Sequence, residues 1–445
     1  MYNKLTIICI YHLWLTCDKV NDEKKIMRKK IVADKILYFT DIHFGIRSDS
    51  LLRLEICKKV VDQIIDTIKK NDIKYVIFGG DLFHSRVSLN VNTLNVAIDA
   101  IKSIAKYAHI YMIIGNHDIH YKNSLDVHSM KLFNDLKNID VIEEPTELMI
   151  NDDKKMLLVP WMSDLDDYKE ESYDYIVGHF DISAKYLIAS YIEEHSKDGQ
   201  KPNVDSVLNE LINNELGITG ITTDTSKSDI NEILEKKQKT SSKYIGNFIN
   251  LCKKNGTILA GHIHTHKDFK VKGRRFIFIG SPQQQNFGDR GSENGYYVHD
   301  LKSNRYSFIK TTDIPVHKEL MLSMIDDTYD FNECAGNYIK LIIDKQIDHN
   351  EYSEILNKIN CAAPAEIFPP EYHITLSFNN DVSDEDINEH AKKIKQSKTD
   401  YIYDYIDSIN DTELKPNEID KDILYGVVMT YYDNVKEETS EGATI

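Results

Sequence analysis

Between residues 35 and 300 the chain repeats one arrangement, in which a short apolar segment ends at a glycine or directly at an aspartate. Two of these segments are followed by stretches, residues 51–70 and 92–107, whose apolar side chains recur at the three- and four-residue spacing of a helix. Alternation of buried strands with amphipathic helices is typical of an α/β domain. Because ligand sites of such sheets form beyond the carboxyl ends of the strands, we expect the polar residues at these ends to converge.

The same pattern predicts the extent of this domain. Strands are expected at residues 35–40, 74–78, 110–114, 155–159, 173–177, 257–260, 275–279 and 296–299. We therefore expect an α/β domain at residues 35–310, interrupted by a polar, helical insertion at 184–254. Residues 1–34 are expected to be an extension that is either disordered or not native, with Met27 as the alternative start.

The last third of the chain has a different character. Residues 311–382 are expected to form a smaller α+β domain, with strands at 338–343 and 372–378 separated by loops that contain Pro364, Pro369 and Pro370. Residues 383–436 carry apolar side chains at helical spacing among many acidic residues, which predicts two short amphipathic helices. Residues 437–445 are expected to be disordered.

Charge and cysteine usage limit the class of protein. The formal net charge of −17 argues against a protein that holds nucleic acid through a broad basic surface, so any DNA contact must be local. The six cysteines include no CxxC pair, as expected in a reducing compartment. The apolar segment at residues 5–17 is shorter than the roughly 20 residues that span a bilayer, and no small-residue cleavage site follows it. We expect neither a membrane helix nor secretion.

Five polar clusters stand where the predicted strands end. They are Asp41-Ile42-His43, Gly79-Gly80-Asp81, Gly115-Asn116-His117-Asp118, Gly178-His179 and Gly261-His262-Ile263-His264. A lone histidine at a strand end is more often a structural residue than a ligand, whereas five clusters in this order indicate one shared site.

The chemistry of these clusters points to bound metal ions. Carboxylate, amide and imidazole groups without a thiolate favour manganese, iron or magnesium over structural zinc, with zinc left as an alternative. One aspartate shared between two ions would hold them about 4 Å apart, the separation used for in-line displacement at phosphorus. The clusters therefore predict phosphodiester hydrolysis at a two-metal centre.

All five clusters resemble the ordered motifs of the calcineurin-like metallophosphoesterases. Within that superfamily the chain is similar to the DNA repair nucleases of the SbcD type and their phage counterparts, through residues 80–84, 115–123, 159–162, 279–282 and 286–289. The similarity covers about residues 35–300. It implies a four-layer αββα sandwich with a smaller α+β capping domain at residues 311–382 and a C-terminal helical tail.

The resemblance also implies how the site residues divide between two manganese ions, with magnesium as an alternative metal. One ion would be held by Asp41, His43, Asp81 and His264. The other would be held by Asp81, Asn116, His179 and His262, so that Asp81 bridges the two.

Three further residues receive roles from the resemblance. His117 would act as the acid or transition-state stabiliser at the scissile phosphate, with Asp118 orienting its imidazole. His84 would position the DNA end. Other polar residues flank this set and are expected to be ordinary surface residues, namely His120, His266, Arg47, Lys122, Arg274 and Arg290.

The function implied is that of a manganese-dependent exonuclease and endonuclease acting on double- and single-stranded DNA ends in recombination and repair. Its partner would be a coiled-coil ATPase of the SbcC type that docks on residues 383–436, and a homodimer is possible on the same grounds. Such a protein would work in the cytoplasm of a cell, which can be a phage- or virus-infected one. Two alternatives stay open: a phosphatase or phosphodiesterase acting on a small phosphoester, and a non-catalytic tether that binds DNA ends.

Overall fold

The protein was analysed as a computed structural model that describes residues 27–121, 124–180, 249–271, 273–347 and 349–373. Its strands are β1 Met27–Ile31, β2 Lys35–Phe39, β3 Tyr75–Phe78, β4 His109–Ile113, β5 Ile139–Ile142, β6 Thr146–Ile150, β7 Lys154–Val159, β8 Tyr173–His179, β9 Cys252–Gly261, β10 Lys267–Val271, β11 Arg274–Phe278, β12 Gly295–Asp300, β13 Arg305–Lys310, β14 His317–Met321, β15 Tyr338–Ile343 and β16 Glu366–Tyr372. The α-helices of the described residues are α1 Leu51–Asn71, α2 Val91–Ala105 and α3 His349–Cys361, preceded by the short segment Ile46–Asp49. Short 3₁₀ turns lie at Ser129–Phe133, Asp166–Tyr168, Phe287–Asp289, Leu322–Met324 and Phe331–Cys334.

Two mixed sheets form the centre of the α/β domain. The strand order of the first is β1-β6-β7-β8-β9-β11-β10, and that of the second is β13-β12-β2-β3-β4-β5. Strands β2 to β5 run parallel in the second sheet, as do β7, β8, β9 and β11 in the first. The predicted α/β class is confirmed.

The layers follow from strands that are apolar on both faces. Leu37 and Phe39 of β2 pack in one core with α1 and α2, whereas Ile36 and Tyr38 pack in a second core between the two sheets. A third core covers the outer face of the first sheet. Both faces of each mixed sheet are therefore buried, and another layer of the protein covers each face. The predicted helical insertion at residues 184–254 lies outside the described residues except for its last few.

The two long helices are amphipathic, as their spacing predicted. On α1 the buried positions include Leu54, Cys57, Val61, Ile64 and Ile68, which lie three or four residues apart and face the second sheet. The side chain of Asn90 caps α2 by accepting a hydrogen bond from the Asn92 amide at 2.8 Å. Local sequence therefore determines where both helices lie.

Two elements differ from the prediction at the ends of the α/β domain. Residues 27–31, which the prediction assigned to the extension, form the edge strand β1 and pair with β6 in parallel, Met27 opposite Thr146. The basic side chains of this strand are mostly exposed, as expected at a sheet edge. Because these residues are charged, the segment lacks the apolar pattern by which the other strands were predicted. Cys252 to Lys254, assigned to the helical insertion, belong instead to β9, which shifts register against β8 there.

A smaller unit of β14, β15, β16 and α3 has its own core, in which Leu341 packs with Ile355 and Ile359. Its three strands are parallel. Strand β16 covers Glu366–Tyr372 and includes Pro369 and Pro370, which were predicted to lie in loops. The strand predicted at 372–378 falls outside the described residues, apart from its first two positions. Proline is tolerated there because β16 is an edge strand and its register against β15 shifts beside the prolines. Residues from 374 onward, including the predicted helices at 383–436 and the tail, lie outside the described residues.

Arg53 joins the helix α1 to the smaller unit. Its buried guanidinium lies 3.5 Å from the centre of the Tyr338 ring and 3.2 Å from Nε2 of His317. It also donates to the Gln284 carbonyl at 3.4 Å. Burial lowers the pKa of His317 to about 3, so that its ring is neutral and can accept a hydrogen bond from the arginine at Nε2. One charged group with buried partners thus contributes to the contact between α1 and the smaller unit.

No helix within the described ranges is long and apolar enough to cross a membrane.

We predict that Arg53→Ala lowers the free energy of unfolding by about 3 kcal/mol, because it leaves His317 and the Gln284 carbonyl buried without their donor. Urea unfolding followed by circular dichroism measures this loss. Lys58→Ala on the same helix is the matched control, since Lys58 makes only an exposed ion pair with Glu55 and should change stability by no more than about 0.5 kcal/mol. Equal effects of the two substitutions would contradict the prediction.

Candidate metal centre

The five predicted clusters come together at one rim of the two sheets. Strands β2, β3 and β4 of the second sheet lead into Asp41, Asp81 and Asn116, and β8 and β9 of the first sheet lead into His179 and His262. Backbone hydrogen bonds from Asp41 to Gly80 and from His43 to Asp81, at 2.9 and 3.3 Å, join the first two exits. Residues more than two hundred positions apart in the sequence thereby share one site.

One group of side chains contains Asp41, His43 and His264. The Nε2 atoms of His43 and His264 lie 3.2 Å apart. The Asp41 carboxylate lies 3.8 Å from the first of these nitrogens and 3.9 Å from the second. The Asp81 carboxylate lies 3.8 Å from Nε2 of His43, on the side of the second group.

The second group contains Asp81, Asn116, His179 and His262. The amide oxygen of Asn116 lies 2.9 Å from Nε2 of His179 and 2.8 Å from Nδ1 of His262. Nε2 of His179 lies 3.3 Å from the Asp81 carboxylate. The Asp81 carboxylate therefore lies within 4 Å of a histidine of each group.

Sharp turns at the strand exits aim these side chains at the centre. Asp41, His43, Asp81 and His262 all have left-handed backbone dihedral angles, with φ between 51° and 84°. Such angles cost energy for residues other than glycine and are concentrated at functional sites. Glycine is required next to them at position 115, where a side-chain methyl group would overlap the Asp81 carboxylate.

In two of the rings, those of His179 and His264, the outer nitrogen has a partner that orients the ring. Nδ1 of His179 donates to the Gly79 carbonyl at 2.8 Å, which directs Nε2 toward the centre. Nδ1 of His264 lies 3.7 Å from the Asp289 carboxylate, which is itself held by the amides of Gln285 and Asn286. Ligating histidines usually have such a partner for the other nitrogen. Asp289 lies in the segment 286–289 that carries part of the resemblance, but no role was predicted for it.

Asp118 has a different partner from the one predicted. Its carboxylate accepts hydrogen bonds from the backbone amides of Asp81, Gly115 and Leu82 at 2.8, 2.9 and 3.0 Å. The prediction that Asp118 orients the His117 ring is wrong in this structure. The partner of that ring is the His84 carbonyl, which accepts from Nδ1 of His117 at 2.6 Å.

His117 and His84 lie beside the two groups. The ring of His117 meets the ring of His43 edge-on, with 4.9 Å between their centres. The ring of His84 stacks on His117 at 5.7 Å and is exposed. Because Nδ1 of His117 is occupied by the His84 carbonyl, its Nε2 is the nitrogen left free for chemistry.

Burial and opposite charges set the protonation of the site. Burial opposes ionisation of Asp81, but the imidazoles of His179, His43 and His117 outweigh it and hold the pKa of Asp81 well below its usual range. Burial lowers the pKa of His179, yet Asp81 and Asp41 together raise it to about 9. Burial dominates at His262 and lowers its pKa to about 3. His262 thus offers a neutral nitrogen, the form that binds a metal.

The donor set fits divalent cations. Asp41, His43 and His264 present ligand atoms within 4.8 Å of one another, as do Asp81, His179 and His262. Among the described residues, Oδ1 of Asp41 and Nδ1 of His43 are buried without a hydrogen-bond partner. A buried carboxylate oxygen without a donor is costly unless a cation or a proton neutralises it. Oxygen and imidazole ligands together fit divalent metal ions.

Several flanking residues have structural partners instead. The His266 ring packs on Phe308 with 4.1 Å between ring centres, so it belongs to a core and not to the rim. Arg47 and Arg290 form ion pairs with Glu366 and Glu319, and Arg274 donates to the Cys252 carbonyl. Lys122 lies outside the described residues. Trp161 had no predicted role, but its ring centre lies 5.2 Å from that of His262 in the second group.

Known proteins share parts of this sequence. Exonuclease subunit 1 of Enterobacteria phage T4 is 30% identical over 161 residues, which are 34% of this chain and 47% of that protein. A protein of Invertebrate iridescent virus 3 named as a candidate phosphoesterase, 078R, is 27% identical over 131 residues, 28% of this chain and 35% of its own length. The matched segments thus span less than half of either relative.

A solved structure and a family model add to this comparison. The dimetal phosphatase from Danio rerio aligns with 62% of this chain and 95% of its own at 10% identity, with a TM-score of 0.30. The model of the calcineurin-like phosphoesterase family matches residues 34–266, more than half of the chain. The chain therefore belongs to the calcineurin-like phosphoesterases and is a metal-dependent phosphoester hydrolase.

Proposed function

We propose that this protein is a manganese-dependent nuclease that hydrolyses phosphodiester bonds at DNA ends, as the nuclease subunit of a recombination and repair complex. The observation that carries the proposal is the position of Asp81 between two groups of ligand atoms, with His117 beside them. Two ligand groups joined by one carboxylate suit an in-line displacement at phosphorus. A histidine outside both groups supplies a proton donor for the same reaction.

In this proposal the predicted partition of ligands is retained. Asp41, His43, Asp81 and His264 would hold one ion, and Asp81, Asn116, His179 and His262 the other. When bound, the ions would supply Lewis-acid stabilisation of the negative charge on the phosphoryl oxygens and would acidify the attacking water.

His117 is the proposed acid for the leaving oxygen. The bond from its Nδ1 to the His84 carbonyl determines the tautomer and leaves Nε2 free. When the ring is also protonated at Nε2, as imidazolium, that proton can pass to the leaving oxygen or stabilise charge on the phosphate in the transition state, which leaves the neutral ring with its proton on Nδ1. Asp118 acts here as a positioning residue, because its amide bonds hold the turn that carries Asp81. His84, exposed beside His117, is proposed to position the DNA end.

DNA is favoured over a small phosphoester by two observations. The T4 relative is named as an exonuclease subunit, and its similarity to this chain supports a nucleic-acid substrate. A small phosphoester also needs no further surface, whereas this chain has a second unit joined to the first through Arg53 and through the ion pair of Arg47 with Glu366. A non-catalytic tether would have no use for His117 as an acid beside the two groups.

The partner in this proposal is a coiled-coil ATPase of the SbcC type. The T4 relative is a subunit by name, which supports an assembly of more than one chain. Residues 383–436, the proposed docking helices, lie outside the described residues. A homodimer through another surface is compatible with the same assembly.

The first prediction from the proposed function concerns the metal. Chelated protein should release no nucleotides from linear duplex DNA, and manganese should restore activity better than magnesium because of the mixed nitrogen and oxygen ligands. Asp81→Ala should abolish cleavage, since it removes a ligand from both groups. Asp152→Ala, which changes an exposed residue paired with Lys30, is the control and should retain full activity. Cleavage in excess EDTA, or turnover of bis-p-nitrophenyl phosphate without any cleavage of DNA, would contradict the proposal.

The second prediction separates acid from ligand. His117→Ala should lower the cleavage rate by about a hundredfold or more while the protein still binds two manganese ions per chain, measured by calorimetry. His109→Ala is the matched control, because His109 lies at the opposite end of β4 and pairs with Asp140. Loss of metal in His117→Ala would instead make His117 a ligand.

The third prediction concerns the partner. A chain truncated after Asn380 should stay folded and keep manganese-dependent cleavage of single-stranded DNA, while it should lose co-purification with the ATPase and ATP-stimulated resection of duplex DNA. Removal of residues 437–445 alone is the control and should leave the association intact. Undiminished binding of the ATPase by the truncated chain would count against docking through residues 383–436.

A further inference from the structure

Arg86 is an arginine next to the site that the preceding account leaves without a role. It lies two residues after His84, in the loop that follows β3, and its side chain is half-buried. Among the described residues it forms neither a hydrogen bond nor an ion pair. Most other arginines have a polar partner, namely Arg28, Arg47, Arg53, Arg274, Arg275 and Arg290.

The side chain of Arg86 does not hold the loop in shape. Oγ of Ser85 accepts hydrogen bonds from the amides of Val87 and Ser88 at 3.4 and 3.2 Å and so forms the turn. The His84 amide donates to the Phe44 carbonyl at 2.9 Å, and the His84 carbonyl accepts from the ring of His117. The loop is therefore fixed beside the site by its backbone and by Ser85, which leaves the guanidinium available for a ligand.

The charges that act on Arg86 belong to the site. Burial lowers the pKa of Arg86, and the carboxylates of Asp81 and Asp118 oppose that effect. The guanidinium stays ionised in any case. Both carboxylates are occupied by other groups, since Asp118 accepts three amides and Asp81 accepts the His117 amide at 2.7 Å. A half-buried charge without a dedicated partner is unfavourable and favours binding of an anion.

We infer that Arg86 binds the non-bridging oxygens of a phosphate that neighbours the scissile one in a polynucleotide. This inference rests on the proposed function. Guanidinium groups match phosphate oxygens with two parallel hydrogen bonds. In the proposed function, His117 and the two ligand groups surround the scissile phosphate. The Arg86 guanidinium is therefore left to bind a second phosphate. Nucleic acids have this second phosphate, and small phosphodiesters lack it.

The test is equilibrium binding of a fluorescein-labelled single-stranded oligonucleotide, measured by anisotropy in EDTA across a series of salt concentrations. Each phosphate contact on a single strand contributes about 0.7 to the slope of log affinity against log salt. Arg86→Gln should reduce that slope by about 0.7, which corresponds to about fivefold weaker binding at 0.1 M salt. Arg86→Lys should keep the slope and lose only part of the affinity, because lysine keeps the charge without the fork of donors.

Arg305→Gln is the matched control. Arg305 is exposed at the start of β13, opposite Asp300, which pairs with Lys35 at the amino end of β2, the end of the sheet away from the site. It should leave both the slope and the affinity unchanged. A slope for Arg86→Gln equal to that of the wild type would overturn the inference.

Cleavage assays separate this inference from the proposed function. With manganese, the loss of kcat/KM in Arg86→Gln should be at least about threefold larger for the oligonucleotide than for bis-p-nitrophenyl phosphate, which has one phosphate. Equal losses on both substrates would place Arg86 at the reacting phosphate and overturn the inference. A wild-type protein that never cleaves DNA would reject the proposed function, while the change of salt slope in EDTA would still support the Arg86 contact.

Discussion

The Asp118 carboxylate organises the turn on which the rest of the site depends. It lies just beyond β4 and accepts amide hydrogens from Asp81 and Leu82 beyond β3, as well as from Gly115. Burial and the nearby Asp81 charge raise the pKa of Asp118, against the effect of these hydrogen bonds. One buried group thus fixes two adjacent strand exits relative to each other. The Asp81 side chain can then face both ligand groups at once.

A second network connects the site with the smaller unit. Ser281 and Gln285 donate to the Asp41 carbonyl at 2.9 and 3.1 Å, and Gln283 donates to the carbonyl of Ile42 at 3.0 Å. The neighbouring Gln284 accepts the His317 amide of β14 at 2.6 Å. Consecutive buried glutamines therefore hold the first ligand loop on one side and the smaller unit on the other.

The charges of the site show why it suits both metal cations and a phosphate anion. Asp41 and Asp81 are fully buried, and the imidazoles around them differ in protonation: the carboxylates outweigh burial at His179, whereas burial outweighs them at His43 and His262. Such an arrangement is costly without compensating charge. The overall net charge of −17 is thus compatible with phosphate binding, since cationic groups are needed only at the rim. Arg86 is a group of this kind.

Much of this protein is determined by the sequence alone. The alternation of apolar runs, helical spacing in α1 and α2, and a polar residue at each strand exit were sufficient to predict the α/β class and the residues that meet at the rim. These features are local, because side-chain periodicity and turn chemistry act over a few neighbouring residues. The tertiary structure decided what local patterns cannot specify. It gave Asp118 three amide donors in place of the His117 ring, directed His264 with Asp289, and made the charged segment Met27–Ile31 an edge strand. Within the part of the chain that the structure describes, it also left Arg86 without a hydrogen-bond partner. A side chain's hydrogen bonds depend on groups that are distant in sequence and become neighbours only when the sheets pack.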